Sequence, residues 1–289
     1  MAFTSRRKKS RELTQFRKDR AARADPREMD LSMLRIVAFL AVCVSAYPVS
    51  ALQSCRVASG TQLLPLVELY TSEGCDSCPP ADRWLSRQFP PTDAHPSAVA
   101  IAFHVDYWDR LGWKDRFASA AYTERQYASM RANAATFVYT PQVLLQGHDW
   151  QAWAAGSAPV ERAAKIPARA TISVETTVSG DSVVVVADAT VADAALRSDA
   201  QLFVAYADSG LHSDVAAGEN RGKRLVHDHV VRALQSPGNA SAEGRLHGRF
   251  EFRKPAEAGT APTLIAFVQR RTTGDILQTV AAPLAGCGT

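Results

Sequence analysis

The sequence has few cysteines and only one Cys-x-x-Cys: of five cysteines in 289 residues, Cys75 and Cys78 form this pair. The seven histidines are scattered, so the paired ligand spacing of a structural zinc site is missing. There is no internal repeat, which excludes solenoid folds. Neither sign of charge is in large excess beyond residue 54, because residues 55–289 hold 22 basic and 24 acidic residues, a net charge of −2. We therefore expect neither nucleic acid nor an anionic membrane surface as a partner.

The first 54 residues differ from the rest of the chain. They hold eleven basic and five acidic residues, and the run Leu31–Ala51 is almost wholly apolar around Arg35 before it ends in Val49-Ser50-Ala51. A basic segment, an apolar run and a small-x-small site are typical of a cleaved signal peptide. We expect residues 1–54 to be a leader and the protein to be periplasmic or secreted. The alternatives are a retained membrane anchor and a lipoprotein in which Cys55 carries the lipid.

The Cys-x-x-Cys lies at a predicted junction of strand, turn and helix. Leu66–Tyr70 is an apolar, strand-like run, Thr71–Gly74 is small and polar, and Cys75-x-x-Cys78 opens a helix. The free amide groups and partial positive charge of a helix N-terminus favour a thiolate. We expect Cys75 to be the more exposed sulfur and to attack, and Cys78 to resolve the mixed disulfide. This arrangement is typical of thioredoxin-like redox proteins.

Other residues are candidates for the same site. Thioredoxin-like proteins carry a cis-proline opposite the cysteine pair, and Thr140-Pro141 precedes an apolar strand here. We expect both residues to bind substrate, with Tyr107 and Trp108 as further walls of the site. Glu68 precedes Cys75 by seven residues, and as a buried acid it would move the proton of the resolving cysteine. The alternative for Glu68 is a surface position at a strand edge.

Hydrophobic periodicity divides the chain after the leader into two predicted domains. Residues 62–167 alternate strand and helix in the order β-α-β-α-β-β-α, which predicts an α/β thioredoxin-like domain. Residues 168–289 hold about seven short β-branched segments punctuated by Gly, Asn and Pro, which predicts an antiparallel all-β sandwich. In that half, His227 and His229 alternate along a predicted strand, and we interpret them as a solvated strand face rather than a metal pair.

Six motifs occur along the chain: Val67–Asp82, Ala102–Asp109, Leu111–Asp115, Tyr139–Gln142, Gly218–Lys223 and His227–Val231. Together they resemble a bacterial secreted family known as domain of unknown function 1223. The resemblance implies a thioredoxin-like fold in an exported protein and supplies no established activity.

The leading interpretation is an exported thiol–disulfide oxidoreductase that acts on a protein or peptide substrate without a cofactor or bound metal. Its redox partner is not evident from the sequence. The alternatives are a Cu(I)- or zinc-handling module that uses the same thiolates and a non-catalytic binding protein with a static disulfide. Leader cleavage would also leave Cys55 and Cys287 at opposite ends of the chain. Since termini of compact domains often lie close together, we expect a structural Cys55–Cys287 disulfide, unless Cys55 is lipidated.

Overall fold

Strands predominate in this computed structural model, which describes residues 53–93 and 96–286. Its strands are β1 (Gln53–Ala58), β2 (Leu66–Thr71), β3 (Val99–His104), β4 (Gln142–Leu145), β5 (His148–Asp149), β6 (Thr171–Ser179), β7 (Ser182–Thr190), β8 (Ala200–Asp208), β9 (Leu211–Asp214), β10 (Arg224–His227), β11 (Val230–Gln235), β12 (Arg245–Arg253), β13 (Thr263–Arg270) and β14 (Ile276–Pro283). Its α-helices are α1 (Pro79–Gln88), α2 (Ala120–Ala132), α3 (Ala158–Ala163) and α4 (Ala194–Arg197). Short 3₁₀ turns cover Asp106–Leu111, Trp153–Ala155 and Leu284–Gly286.

The largest sheet has eight strands in the order β14-β13-β8-β11-β3-β2-β4-β5. Strands β2 and β3 are parallel, and most of the other neighbours are antiparallel. The two halves of the chain meet where β11 pairs in parallel with β3 through Val230 and Ala102. The backbone N–H of Ala102 also donates to the carbonyl oxygen of His229 at 2.7 Å. This contact makes one sheet from strands that are distant in sequence.

Strands β2 and β3 are buried along their whole length, which explains their continuous apolar character. Successive side chains of a strand point to opposite faces. Val67 and Leu69 of β2 therefore pack with Leu85 of α1, whereas Leu66 and Tyr70 pack with Tyr122 of α2. The two helices thus cover opposite faces of the sheet at the point where β2 and β3 end.

A second sheet, of order β1-β6-β7-β12, packs against the other half of the eight-stranded sheet. Its strands alternate apolar and polar residues, as in β12, where Leu246, Phe250 and Phe252 are buried between exposed neighbours. Their core partners on the large sheet include Leu202 and Leu264. Strands β9 and β10 form a separate two-stranded ribbon.

The predicted fold class, an α/β thioredoxin-like domain followed by an all-β sandwich domain, is wrong. No thioredoxin-like layout is found in the described residues, which instead form large mixed and antiparallel sheets with few helices. The eight-stranded sheet takes β2–β5 from residues 62–167 and β8, β11, β13 and β14 from residues 168–289. The two halves join because the free backbone groups at the edge of β3 need hydrogen-bond partners, and β11 provides them.

Candidate functional site

Cys75 and Cys78 form a disulfide at the N-terminus of α1, with their Cα atoms 5.5 Å apart. Cys78 is the N-cap residue, and prolines occupy the first helical positions, where no intrahelical N–H bond is lost. The backbone N–H of Cys75 donates to Ser72 O at 3.2 Å and that of Cys78 donates to Cys75 O at 3.3 Å, which closes the loop tightly. Both cysteines are 0% exposed. The expectation that Cys75 would be the more exposed sulfur is therefore wrong.

The predicted substrate-binding residues Thr140, Pro141 and Trp108 lie beside Cys75. The Thr140–Pro141 peptide bond is cis, as expected from the sequence, and the carbonyl oxygen of Thr140 lies 3.9 Å from Cys75 Sγ. Trp108 Nε1 donates a hydrogen bond of 2.7 Å to Thr140 Oγ1. A methyl group added at Gly74 would come within 3.0 Å of Trp108 Cβ, so the base of this side chain packs directly on the cysteine loop. Together these residues form one wall of the site.

Tyr107 supports this wall from behind. Its hydroxyl donates to Gln126 Oε1 at 3.3 Å, and burial raises the pKa of that phenol to about 12. Gln126 Nε2 in turn donates to the carbonyl oxygen of Tyr139 and to Gln142 Oε1, at 2.8 and 2.9 Å. Tyr107 therefore holds the segment on both sides of Thr140 through Gln126.

Glu68, the predicted proton shuttle, is buried away from the disulfide. It shares the face of β2 that Leu66 and Tyr70 present to α2, whereas α1 packs on the other face. Its Oε2 atom accepts hydrogen bonds of 3.0 and 2.8 Å from Arg125 Nε and Nη2. The structure therefore corrects the sequence-based role: Glu68 is the counter-ion of a buried arginine and not a base for Cys78.

A loop from the second half of the chain, Gly218–Lys223, closes over the cysteine loop. Asn220 is fully buried, and its Nδ2 donates hydrogen bonds of 2.8 Å to the carbonyl oxygens of both Glu73 and Cys75. Lys223 Nζ donates to Asn220 Oδ1 at 2.8 Å and so fixes the orientation of this amide. The neighbouring carboxylate of Glu219 accepts the backbone N–H of Asp76 at 3.1 Å. We call this arrangement the Asn220 clamp.

Five buried ionisable residues lie beneath the cysteine loop, and we call them the acid–histidine cluster: Glu73, Asp82, His104, Asp115 and His227. His104 Nδ1 donates to Asp115 Oδ2 at 2.7 Å, and the same oxygen accepts the backbone N–H of Glu73 at 2.9 Å. His227 Nε2 lies 3.1 Å from Glu73 Oε1, within ion-pair distance but without hydrogen-bond geometry. The rings of His104 and His227 are 5.0 Å apart. Strands β3 and β10 thus bring two histidines and three acids together.

Opposing effects set the charges of this cluster. Burial alone would raise the pKa of Asp115, but its ion pair with His104 lowers that pKa below the ordinary range. Burial likewise opposes a charge on His104, yet the attraction of Asp115 raises the pKa of the imidazole. Burial dominates at Asp82 and raises its pKa. In Glu73, burial raises the pKa, but the interactions with His227, Ser213 and Trp113 together outweigh it and lower the pKa. The cluster therefore combines two acids whose pKa is lowered with one acid, Asp82, whose pKa is raised.

Several polar atoms of the cluster and its surroundings make no well-formed hydrogen bond among the described residues. His104 Nε2 and His227 Nδ1 have no hydrogen-bond partner there, whereas Glu73 Oε1 and His227 Nε2 face each other at 3.1 Å and the Thr71 hydroxyl interacts with Asp82. An unpartnered buried polar atom costs about 1–3 kcal/mol of stability. Such a concentration of unpartnered groups is unusual in a purely structural core and marks a functional region.

The expectation for the second half of the chain needs a correction. His227 and His229 do not share a solvated strand face, because β10 ends at His227 and β11 begins after His229. His227 is 2% exposed, and His229 Nε2 lies 2.6 Å from the carbonyl oxygen of Phe89. No group of three or more His, Cys, Asp or Glu side chains suited to hold a metal ion occurs in residues 53–93 and 96–286.

The structure describes only part of the two chain ends for which the sequence makes predictions. Cys55 lies in β1, but Cys287 and the leader up to residue 52 lie outside the described residues, so the Cys55–Cys287 disulfide stays a prediction. Within the described ranges, no helix has the length and apolar character needed to cross a bilayer.

Sequence reasoning assigned no role to Asp82 or Asp115, and it named Asn220 only as part of the motif Gly218–Lys223. His104 and Asp115 belong to two separate motifs, Ala102–Asp109 and Leu111–Asp115, and the fold brings their side chains into contact. A signal was available only for Asp82: Cys78, Asp82, Leu85 and Phe89 follow helical spacing and are all buried.

Comparison with known proteins gives one family and two informative structures. A family model described as "Protein of unknown function (DUF1223)" matches residues 66–269. The crystal structure of protein AGR_C_4864 from Agrobacterium tumefaciens is 27% identical, covers 77% of this chain and 95% of its own, and has a TM-score of 0.54. HBP35 of Porphyromonas gingivalis is 14% identical, covers 80% of this chain and 78% of its own with a TM-score of 0.57, and shows a similar fold only. No curated protein matches the chain.

Proposed function

The chain belongs to the DUF1223 family of proteins of unknown function, and from this premise we propose that it performs thiol–disulfide exchange at Cys75 and Cys78. The observation that carries the proposal is the disulfide at the N-terminus of α1, beside the carbonyl oxygen of Thr140. The helix N-terminus stabilises a thiolate formed when this bond opens. A substrate thiolate bonds to Cys75 Sγ, and the electron pair of the old S–S bond goes to Cys78 Sγ.

The substrate in this proposal is a protein or peptide thiol or disulfide. Thr140 and Trp108 lie next to Cys75 and offer it a wall with a backbone carbonyl oxygen and an indole. Because both sulfurs are buried, exchange requires the cysteine loop to separate from Trp108 or from the Asn220 clamp. The compartment is part of the proposal, since disulfide exchange of this kind is common outside the cytosol. N-terminal sequencing of exported protein should then begin at Leu52.

A second candidate function is a non-catalytic binding protein in which this disulfide is static. The observation in its favour is the complete burial of Cys75 and Cys78, because a sulfur without access cannot be attacked by a bulky thiol. The two functions differ in whether the bond exchanges while the protein stays folded.

Trapping of mixed disulfides tests the proposal. The Cys78→Ser variant should accumulate covalent complexes with reduced peptides in the presence of oxidised glutathione, because no second thiol releases them. The matched Cys75→Ser variant should accumulate markedly fewer. Insulin reduction by the wild-type protein with dithiothreitol provides the catalytic readout. A disulfide that resists dithiothreitol until the protein unfolds, with no complexes in either variant, would overturn the proposal in favour of a static disulfide.

A further inference from the structure

Asp82 lies one helical turn after Cys78 on the buried face of α1. Its backbone N–H donates to Cys78 O at 3.1 Å, and residues four apart on a helix are neighbours on the same face. The Asp82 side chain is only 9% exposed, and Leu85 and Phe89 continue the same buried stripe. An acid in such a stripe is unfavourable for stability unless it has a partner or a task. Its position relative to Cys78 points to a task in thiol chemistry.

The opening of the disulfide creates a charge on a sulfur that is buried in the closed structure. When a thiolate attacks Cys75 in the opened loop, Cys78 leaves as a thiolate, and Cys78 is 0% exposed before the loop opens. A partly desolvated anion is costly, so a proton donor close to Cys78 would speed the step.

The groups around Asp82 suit this role. His104 from β3, His227 from β10 and Asp115 from the segment before α2 all act electrostatically on its carboxyl group. Burial raises the pKa of Asp82, while His227 and His104 moderate the rise. His104 Nε2 and His227 Nδ1 are buried and have no hydrogen-bond partner among the described residues, and so are available to an anion that forms beside them. The two histidines therefore limit the energetic cost when Asp82 loses its proton.

We propose that Asp82 gives its proton to Cys78 Sγ as the disulfide opens, and that His104 and His227 stabilise the resulting carboxylate. This proposal rests on the thiol–disulfide exchange proposed above. The substrate sulfur bonds to Cys75, the S–S electron pair moves to Cys78, and the proton moves from Asp82 to Cys78. In the reverse direction the Asp82 carboxylate removes the proton of the Cys78 thiol, whose sulfur then attacks the mixed disulfide. No external oxidant or reductant is needed beyond the substrate.

The test is the reaction of the oxidised full-length protein with dithiothreitol across a pH series, followed by stopped-flow tryptophan fluorescence. Each rate is divided by the concentration of dithiothreitol thiolate. For the wild type this corrected rate should fall as pH rises through the pKa of Asp82. The Asp82→Asn variant should be slower by about tenfold or more at the acidic end, and its corrected rate should not change with pH. The exposed Asp76→Asn substitution, inside the same loop, is the matched control and should keep the wild-type pH profile.

A second variant separates proton transfer from a merely structural role. His227→Gln removes an attraction that lowers the pKa of Asp82, so the fall in corrected rate should move to higher pH. Asp82→Asn should not lower the urea midpoint below that of the wild type, because it removes an unfavourably buried acid. Wild-type pH dependence in Asp82→Asn, or an unshifted profile in His227→Gln, would overturn the proposal. A wild-type disulfide that does not react at all in the folded state would instead refute the exchange function.

Discussion

The Asn220→Ala substitution tests whether the second half of the chain holds the cysteine loop in place. The variant loses two hydrogen bonds of 2.8 Å, to the carbonyl oxygens of Glu73 and Cys75. Cys75 O keeps the N–H of Cys78 at 3.3 Å, but we find no other partner for Glu73 O among the described residues. One lost hydrogen bond costs about 1 kcal/mol and one buried acceptor left alone costs about 1–3 kcal/mol. The expected loss in the free energy of unfolding is therefore about 2–4 kcal/mol.

Urea denaturation of the oxidised protein measures this loss, and the slope with urea should stay unchanged. For a protein of this size the same loss lowers Tm by about 4–16 °C. Asn239→Ala, at an exposed asparagine, is the matched control and should stay within about 0.5 kcal/mol of the wild type. The clamp variant should also be reduced faster by dithiothreitol, because its cysteine loop opens more readily. A change below about 0.5 kcal/mol together with unchanged reduction would refute the idea of a clamp.

Two further predictions concern buried charges. Glu68→Gln leaves the buried Arg125 without its counter-ion and should lower the free energy of unfolding, measured by urea denaturation, by about 3–5 kcal/mol. Glu124→Gln, at an exposed glutamate, is the control and should lower it by less than about 0.5 kcal/mol. Equal losses in the two variants would contradict the ion pair. Because the pKa of His104 is raised above its ordinary value, its contribution to stability is fully present below about pH 6.5 and is lost as pH rises through the folded-state pKa. The difference in unfolding free energy between wild type and His104→Gln should thus shrink from pH 6 toward pH 9, and a constant difference would disprove this linkage.

Local patterns predicted many elements well. Helix α1 and strand β7 have the bounds expected from proline placement and alternation, Pro79–Gln88 and Ser182–Thr190. The segment 223–232 was expected to be one strand but splits into β10 and β11, because His229 adopts a positive φ of 61° between them. A single histidine carries no sequence signal for such a turn. Local structure was therefore predictable where propensity and period agree.

Long-range pairing explains what the sequence did not reveal. Glu68 was expected near the disulfide because only its distance along the chain was considered, whereas the side-chain alternation of β2 decides the face it occupies. His227 reaches Glu73 because β10 packs against α1, and Asn220 reaches Cys75 across 145 residues. Such contacts depend on the pairing of β3 with β11, for which a single sequence contains no local signal.

The distance along the chain between the disulfide and its clamp also bears on biosynthesis. Translation proceeds from the N-terminus, so Cys75 and Cys78 leave the ribosome long before Asn220 does. During that interval β3 lacks β11 as its neighbour, and the cysteine loop lacks the amide that later closes it. The nascent cysteines are therefore more accessible to oxidants and folding catalysts than the buried pair of the finished protein. The first oxidation of this pair therefore takes place on an open, incomplete chain. Any later exchange takes place in the folded protein, where the same pair is enclosed, and is a chemically separate event.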